Sequence, residues 1–254
     1  MLKLERVTRQ FGGVMALENV SFNVDHGKIV GLIGPNGAGK TTLFNLISGL
    51  YPPTSGHVSF NGKGLWGMPA HKIARLGISR TFQHIRLFED MSLQENVVVG
   101  MHARLNYSLP ALLTRSSEFR HQEKQAFREA EQLLEKVGLG GFSSAKAGEL
   151  SYGDQRRLEI ARALASQPQL LLLDEPVAGM NGAEKNVLRD LIQSFRHDHL
   201  SVLLIEHDMT FVMGLCDQVI VLNFGRVMAM GEPQDIKNDP RVIDAYIGKE
   251  EDIS

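Results

Sequence analysis

GPNGAGKTT, residues Gly34 to Thr42, is the most informative stretch of this sequence. It fits the pattern G-x-x-x-x-G-K-[ST] in full, and the run KIVGLIG that precedes it has the apolar character of a strand. Apolar residues at helical spacing follow it, namely Leu43, Leu46, Ile47 and Leu50. A glycine-rich turn from a strand into a helix can wrap an anion with its backbone N–H groups. The sequence therefore predicts a loop that binds the phosphates of a nucleotide.

The pattern also predicts a role for individual side chains of this loop. The ammonium group of Lys40 is placed to reach the β- and γ-phosphates, and the hydroxyl of Thr41 is placed to bind Mg²⁺. The predicted binding residues are Gly34, Pro35, Asn36, Gly37, Ala38, Gly39, Lys40, Thr41 and Thr42.

Polar residues follow two strand patterns late in the chain. QLLLLDEP places Asp174 and Glu175 after an apolar run typical of a buried parallel strand, and LLIEHD places His207 after another. Ligands of parallel sheets bind at the carboxyl ends of the strands. We therefore expect Asp174 to reach Mg²⁺ beside Thr41, Glu175 to orient a water at the γ-phosphate, and His207 to contact that phosphate. The alternative for Asp174 and Glu175 is that they only keep the strand end in contact with solvent. The alternative for His207 is a purely structural role.

LSYGDQRRLEIARAL, Leu150 to Leu164, predicts a helix with a second potential anion site. Leu158, Ala161 and Leu164 share one face of this helix, and Arg156, Arg157 and Arg162 lie on the others. Ser151 is a good N-cap, and a helix N-terminus with a serine and a glycine can also bind an anion. The phosphate loop lies far upstream, so the sequence raises the question of which anion this second site binds.

Composition limits the class of protein. The chain has 254 residues, of which 43% are hydrophobic, enough for one substantial core with a second lobe. A net charge of −2 argues against a nucleic-acid-binding protein. Cys216 is the only cysteine and has apolar neighbours, so we expect a buried thiol and no disulfide. The apolar runs are shorter than the about 20 residues of a membrane-spanning helix. Any membrane contact is therefore expected through a partner.

Strand patterns on both sides of a charged helical stretch predict an α/β fold with a helical insert. The stretch runs from residue 108 to 137 and has Phe127, Ala130, Leu134 and Val137 at helical spacing. The predicted strands are Leu2–Val7, Val20–Val24, Lys28–Ile33, His57–Phe60, Leu170–Leu173, Ser201–Ile205 and Gln218–Leu222.

Taken together, the motifs resemble the ATP-binding-cassette (ABC) ATPases. GPNGAGKT, TFQ with Gln83, LSYGDQ, LLLLDEP and LLIEHD occur in the order typical of that family. The resemblance implies a P-loop NTPase with a RecA-like core, an antiparallel β subdomain and an inserted α-helical subdomain. The ATP-binding core is expected over residues 1–84 and 166–254, and the helical subdomain over residues 85–165.

The resemblance also implies roles for residues outside the phosphate loop. Two subunits of this family dimerise head to tail around two ATP molecules, so the second anion site would bind the partner subunit's γ-phosphate through Ser151, Tyr152, Gly153, Asp154 and Gln155. Phe11 would stack on adenine, unless it is a core residue. Gln83 would contact Mg²⁺ or water, Glu175 would be the general base, and His207 would contact the γ-phosphate.

Two positions depart from the common family pattern. Tyr152 stands where glycine is most frequent, and Asn181 stands where aspartate is usual. The contacts of Ser151 and Gly153 should tolerate the first change. The second leaves open how strongly the two active sites of a dimer communicate.

Longer segments resemble the LivG-type ATPases of branched-chain amino-acid importers, including ISRTFQHIRLF and the tail with Ala245 to Gly248. This resemblance implies a homo- or heterodimer, integral membrane permease subunits, indirectly a solute-binding protein, and a peripheral position on the cytoplasmic side of the plasma (inner) membrane. The apolar residues after Gln83 would form a groove for a permease helix, unless they pack into the core: Ile85, Leu87, Phe88 and Met91.

Three alternatives stay open at this point. The chain could serve a lipopolysaccharide exporter or a urea or amide importer, whose ATPases are similar. It could also be a soluble non-transport ABC ATPase, although such proteins usually carry two cassettes or a basic insert. A small-metabolite kinase with a P-loop is the third, and it would have no use for LSYGDQ.

Overall fold

The computed structural model describes residues 1–104 and 117–247. The strands in this part of the chain are β1 (Leu2–Phe11), β2 (Val14–Val24), β3 (Ile29–Ile33), β4 (Ser55–Phe60), β5 (Lys63–Gly64), β6 (Ile78–Arg80), β7 (Leu170–Asp174), β8 (Ser201–Ile205), β9 (Gln218–Asn223) and β10 (Arg226–Gly231). The α-helices are α1 (Lys40–Ile47), α2 (Ala70–Arg75), α3 (Leu93–Gly100), α4 (Ser117–Lys136), α5 (Tyr152–Leu164), α6 (Gly182–Ser194), α7 (Met209–Leu215), α8 (Pro233–Lys237) and α9 (Pro240–Ile247).

The larger sheet has the strand order β10-β9-β3-β8-β7-β6. Its neighbours pair in parallel except β10, which runs antiparallel to β9 at one edge. Every residue of β3, β7 and β8 is buried, as expected for central strands covered on both faces. Asp174 pairs with Ile205, which in turn pairs with Leu32. This register brings the loops after β3, β7 and β8 to one edge of the sheet.

The smaller sheet is antiparallel, with the order β2-β1-β4-β5. Leu2, Leu4 and Val7 of β1 are buried, and the polar residues between them are exposed, which is the alternation that predicted this strand. These side chains share a hydrophobic core with Leu43 and Phe44 of α1. The predicted α/β fold with an antiparallel β subdomain is therefore present, and α1 packs between the two sheets.

Helices α3, α4 and α5 lie between β6 and β7 in the chain and pack on one another. The helix predicted over residues 108–137 corresponds to α4, and residues 105–116 lie outside the described part of the chain. Ala130, Leu134 and Val137 are fully buried as predicted, whereas Phe127 is only partly buried. The predicted apolar face of α5, Leu158, Ala161 and Leu164, is also buried.

The predicted strands are all present, but three observed strands were not predicted. Strand β5 has two residues and β6 has three, too short for a recognisable alternation. Strand β10 has the burial pattern of an edge strand, with few fully buried positions. Strand β2 also begins earlier than predicted, at Val14. The prediction missed these first residues because they do not alternate between apolar and polar, and the structure exposes the first two.

The tail and the single cysteine belong to the main core. Cys216 packs in the main hydrophobic cluster, as predicted, and burial raises the pKa of its thiol to about 12. Tyr246 of α9 packs against the same cluster, and burial raises the pKa of its hydroxyl to about 12. Gly248, the last residue of the tail motif, lies outside the described residues. Among the described helices, each is too short or too polar to cross a membrane.

Candidate nucleotide-binding and catalytic site

The loop between β3 and α1 depends on glycine at two positions. Gly34 has φ +149°, and a Cβ there would lie 2.1 Å from the carbonyl oxygen of Leu222. Gly39 has φ +104°, and a Cβ there would lie 2.7 Å from the carbonyl oxygen of Ala16. Both positions combine a left-handed backbone with a close backbone neighbour, so a side chain has no room. The glycines of the sequence pattern therefore shape the loop.

Lys40 and Thr41 begin helix α1, as the sequence predicts. The Nζ atom of Lys40 donates to the carbonyl oxygens of Gly34 at 2.6 Å and Pro35 at 3.1 Å. Thr41 is exposed in the first turn of the helix. The positive end of the helix dipole and a cation thus lie at the same place, which is the arrangement that binds phosphate groups.

Asp174 ends strand β7 and forms a buried ion pair that the sequence did not predict. Arg80 donates to its Oδ2 atom at 2.8 Å, and both side chains are almost fully buried. Arg80 also donates to Oδ1 of Asn45 on α1 at 2.7 Å. The pair joins β6, β7 and the helix that follows the phosphate loop. Because β6 itself was not predicted, no sequence pattern indicates that Arg80 and Asp174 are neighbours.

Glu175 and Gln83 meet at the carboxyl edge of the sheet. The Nε2 atom of Gln83 donates to Oε2 of Glu175 at 2.9 Å. Glu175 has φ +47°, a conformation that is costly for a residue with a side chain, and its N–H donates to the carbonyl oxygen of Ile205 at 3.0 Å. The structure therefore brings together two predicted catalytic residues that are far apart in sequence.

His207 is exposed on the loop after β8, and its neighbour Glu206 is fully buried. Glu206 accepts hydrogen bonds from the N–H groups of Val177 at 2.9 Å and His207 at 3.1 Å. Burial raises the pKa of Glu206, although these backbone donors oppose the shift. The carboxyl group of Glu206 thus ties the loop after Glu175 to the loop of His207. Glu206 was not predicted, and its position next to His207 is the only sign of its role in the sequence.

Phe11 is exposed, so its interpretation as a core residue is wrong. The guanidinium carbon of Arg9 lies 4.4 Å from the centre of its ring. The ring of Tyr51 meets it edge to face, with 5.4 Å between centroids. An accessible aromatic surface of this kind can stack on a nucleobase.

Ser151 is the N-cap of α5, and its Oγ atom accepts from the N–H of Asp154 at 3.2 Å. Ser151 and Tyr152 are exposed, whereas Gly153 is buried against Glu184, whose Oε1 atom would lie 2.9 Å from a Cβ at that position. Asp154 and Gln155 are half-buried in the first turn. The exposed start of α5 can therefore receive an anion from outside the subunit.

Arg156, which the helical spacing places off the apolar face of α5, is completely buried. It donates to the backbone carbonyls of Phe82 and Gln83 and pairs with Glu159. These acceptors come from a distant loop, so helical spacing could not reveal them.

Comparison with known proteins shows the family of this chain. The sequence profile described as ABC transporter matches residues 17–178. The chain belongs to this family. A second profile, described as branched-chain amino acid ATP-binding cassette transporter, matches residues 226–252 of this ABC protein. The fold and motifs are thus those of an ATP-hydrolysing cassette, and the expected family is confirmed.

Characterised relatives of this ABC protein extend over almost its whole length. The high-affinity branched-chain amino acid transport ATP-binding protein BraF of Pseudomonas aeruginosa is 45% identical over 250 residues, which are 98% of each chain. LivG of Escherichia coli K12, with the same description, is also 45% identical over 98% of each chain. The lipopolysaccharide export protein LptB of Acidithiobacillus ferridurans is 35% identical over 98% of this chain and 97% of its own.

Solved cassettes share the fold. The ADP conformation of MJ1267, an ATP-binding cassette of an ABC transporter, superposes with a TM-score of 0.85 at 30% identity, over 98% of both chains. A dimeric post-hydrolysis state of the cassette MJ0796 bound to ADP and phosphate has a TM-score of 0.77 at 26% identity, over 92% of this chain and 99% of its own. Cassettes of this fold thus bind adenine nucleotide and occur as dimers.

Asn181, where ABC proteins usually have aspartate, is the N-cap of α6. Its Oδ1 atom accepts from the N–H of Glu184 at 3.0 Å, and its own N–H donates to the Glu184 carboxylate at 2.9 Å. Asparagine and aspartate are equivalent caps. The departure from the family pattern therefore preserves the local structure of this cassette.

We expect Asn181→Asp to leave the free energy of unfolding nearly unchanged and Asn181→Ala to lower it by about 1 kcal/mol, since alanine cannot cap the helix. Denaturant unfolding of both variants measures this. Equal destabilisation by aspartate and alanine would contradict the capping role.

Proposed function

We propose that this chain binds and hydrolyses ATP as one half of a cassette dimer that powers uptake of branched-chain amino acids through a separate membrane permease. The hydrogen bond between Gln83 and Glu175, at the sheet edge where the phosphate loop also lies, carries the hydrolytic part of the proposal. The relatives at 45% identity over nearly the whole chain favour the branched-chain amino acid substrate.

ATP would lie across the loop from Gly34 to Thr42. Lys40 would neutralise the β- and γ-phosphates, the exposed ring of Phe11 would stack on adenine, and His207 would contact the γ-phosphate. Glu175 would accept a proton from the attacking water, and Gln83 would hold that carboxylate in position. The strained backbone of Glu175 supports this role because strain is concentrated at functional sites.

The residues around this site also suit Mg²⁺. Among the described residues, no three His, Cys, Asp or Glu side chains form a preassembled metal cluster. Mg²⁺ takes few protein oxygens and completes its shell with phosphates and water. The hydroxyl of Thr41, the amide oxygen of Gln83 and the carboxylate of Asp174, directly or through water, would supply such oxygens. The metal would neutralise charge on the phosphates.

The start of α5 would complete the site of a second subunit. Ser151, Tyr152, Gly153, Asp154 and Gln155 form the first turn of this helix, with the serine exposed. Dimeric cassettes of the same fold support a dimer here. Its second subunit would be a copy of this chain or a sister ATPase. The anion of this second site would be the partner subunit's γ-phosphate.

A cavity of about 440 Å³ offers a docking place for the permease. Its lining residues include Arg80, Phe82, Val99 and Arg162. Of the four residues predicted for this groove, Phe88 is a lining residue, whereas Leu87 packs against the main core. The cavity lies between the proposed core of residues 1–84 and 166–254 and the proposed helical subdomain of residues 85–165. Docking there would keep the chain peripheral, on the cytoplasmic side of the plasma membrane, with a solute-binding protein acting only through the permease.

Reconstitution with its own permease subunits in proteoliposomes tests the substrate. We expect ATP-driven uptake of leucine, isoleucine and valine when the matching solute-binding protein is added. Uptake of urea or amides in their place, or extraction of lipopolysaccharide, would overturn the substrate assignment. ATP hydrolysis that never responds to any permease would favour a non-transport ATPase.

The docking site is tested by Phe88→Asp, which we expect to weaken copurification with the permease about tenfold or more, because it puts a charge into the apolar cavity. Phe142→Asp is the matched control, since Phe142 is also an exposed phenylalanine but is not among the lining residues of the cavity. Equal losses for the two variants would contradict the assigned surface.

A further inference from the structure

Arg156 connects helix α5 to the loop that contains Gln83. Its Nη1 atom donates to the carbonyl oxygen of Phe82 at 2.7 Å, and its Nη2 atom donates to the carbonyl oxygen of Gln83 at 2.8 Å. The side chain is completely buried. The planar guanidinium group therefore fixes two consecutive peptide groups of this loop from one rigid fork.

Glu159 completes the contact from the next turn of the same helix. Its carboxylate pairs with Arg156 at 2.8 Å and accepts from the N–H of Phe82 at 3.4 Å. The side chain of Glu159 is 2% exposed. The backbone of Phe82 is thus bound at both its N–H and its carbonyl oxygen, and the chain before Gln83 has little freedom.

Stability alone does not account for this buried pair. The cost of removing both charges from water often exceeds their attraction, and apolar residues of similar volume are commonly as stable or more stable. The pair does, however, set the position of the Gln83 backbone. From there the side chain of Gln83 reaches Glu175 at 2.9 Å.

We propose that Arg156, supported by Glu159, is a positioning residue for ATP hydrolysis. It holds the backbone of Gln83 so that the Gln83 amide orients the carboxylate of Glu175. Because Arg156 lies on the helix that begins at Ser151, it also links the surface offered to the partner subunit with the catalytic carboxylate of its own subunit. This inference rests on the proposed catalytic role of Glu175.

The test separates positioning from stability by replacing the whole pair. The double variant Arg156→Met with Glu159→Leu removes both charges of the pair, so neither is left buried without the other. Arg156→Lys is the conservative variant, since lysine keeps the charge but lacks the planar fork. The matched control is Arg104→Met with Glu129→Leu. Arg104 likewise donates to a backbone carbonyl, that of Ala165, and pairs with a glutamate, but it does not contact the Gln83 loop.

We expect the Arg156 and Glu159 double variant to keep its melting temperature, and its KM for ATP should stay within about twofold of wild type. Its kcat should fall about 10- to 100-fold, because the carboxylate of Glu175 is misplaced. The kcat of Arg156→Lys should lie between those of the double variant and of wild type. The Arg104 and Glu129 control should keep kcat. In a Gln83→Ala background, the Arg156 and Glu159 substitutions should cause no further loss, since the residue they position is gone.

Wild-type kcat in a folded double variant overturns the inference, and so does a full additional loss in the Gln83→Ala background. A loss that follows the fall in melting temperature alone also overturns it. The ATP hydrolysis of Glu175→Gln is measured alongside these variants, to separate the two proposals. If Glu175→Gln hydrolyses ATP normally, the proposed function fails. If Glu175→Gln is inactive and the Arg156 and Glu159 double variant is fully active, only the positioning role is refuted.

Discussion

Glu175→Gln is expected to lower steady-state ATP hydrolysis about 10²–10⁴-fold and to leave ATP binding intact. The carboxylate lies at the sheet edge beside the phosphate loop, and Gln83 donates to it at 2.9 Å. Glutamine retains an oxygen that can accept this bond, so the local structure should persist while the base is lost. Lys40 and Thr41 are untouched, which is why the nucleotide should still bind.

The measurements are phosphate release and calorimetric ATP affinity on the same preparation. The variant should also accumulate as a dimer with ATP, because the γ-phosphate that joins the two subunits is no longer removed. Glu123→Gln, an exposed glutamate on α4, is the control for loss of one negative charge. Hydrolysis by Glu175→Gln within a few-fold of wild type would refute its role as the base.

Ser151→Arg is expected to abolish ATP-dependent dimerisation and hydrolysis while the monomer binds ATP almost normally. Ser151 is exposed at the start of α5, far in sequence from the loop that binds the subunit's own nucleotide. The bulky side chain would fill the space where the partner subunit's γ-phosphate is proposed to dock, and a donor hydroxyl would be lost. Gel filtration with ATP, monomer affinity and phosphate release test this.

The competing explanation is that Ser151 only caps the helix, since its Oγ atom accepts from the N–H of Asp154 at 3.2 Å. Loss of a cap costs about 0.5–2 kcal/mol of folding stability and would reduce hydrolysis only by unfolding. Ser92→Arg is the control for loss of a cap, because the Oγ atom of Ser92 likewise accepts from a backbone N–H three residues on, that of Glu95. If both variants lose stability and both still dimerise, the shared site is wrong.

Local pattern was sufficient to predict the phosphate loop, because its chemistry lies within one short stretch. The glycines at 34 and 39, Lys40 and Thr41 are all specified by spacing, and the structure places them as that spacing requires. The strands of the central sheet were equally predictable, since β3, β7 and β8 are continuous apolar runs. The short strands β5 and β6 were missed because two or three residues give no period to detect.

Contacts between distant segments could not be predicted in the same way. Arg80 beside Asp174, Glu206 beneath the loop of His207, and Arg156 on the carbonyls of Phe82 and Gln83 all join segments far apart in sequence. Arg156 lies in a mostly polar stretch, whereas Asp174 and Glu206 follow apolar strands, and in neither case does the local pattern show which partner the side chain meets.

The sequence by itself thus determined the fold, the family, the phosphate loop and the residue types at the carboxyl ends of the strands. Only the tertiary structure decided which polar groups meet: Gln83 with Glu175, Arg80 with Asp174, and Arg156 with the backbone before Gln83. The physical reason is that strands and helices follow from short-range periodicity and backbone sterics, which the sequence displays directly. A buried ion pair or hydrogen bond, in contrast, exists only where packing excludes water and brings its two partners within about 3 Å.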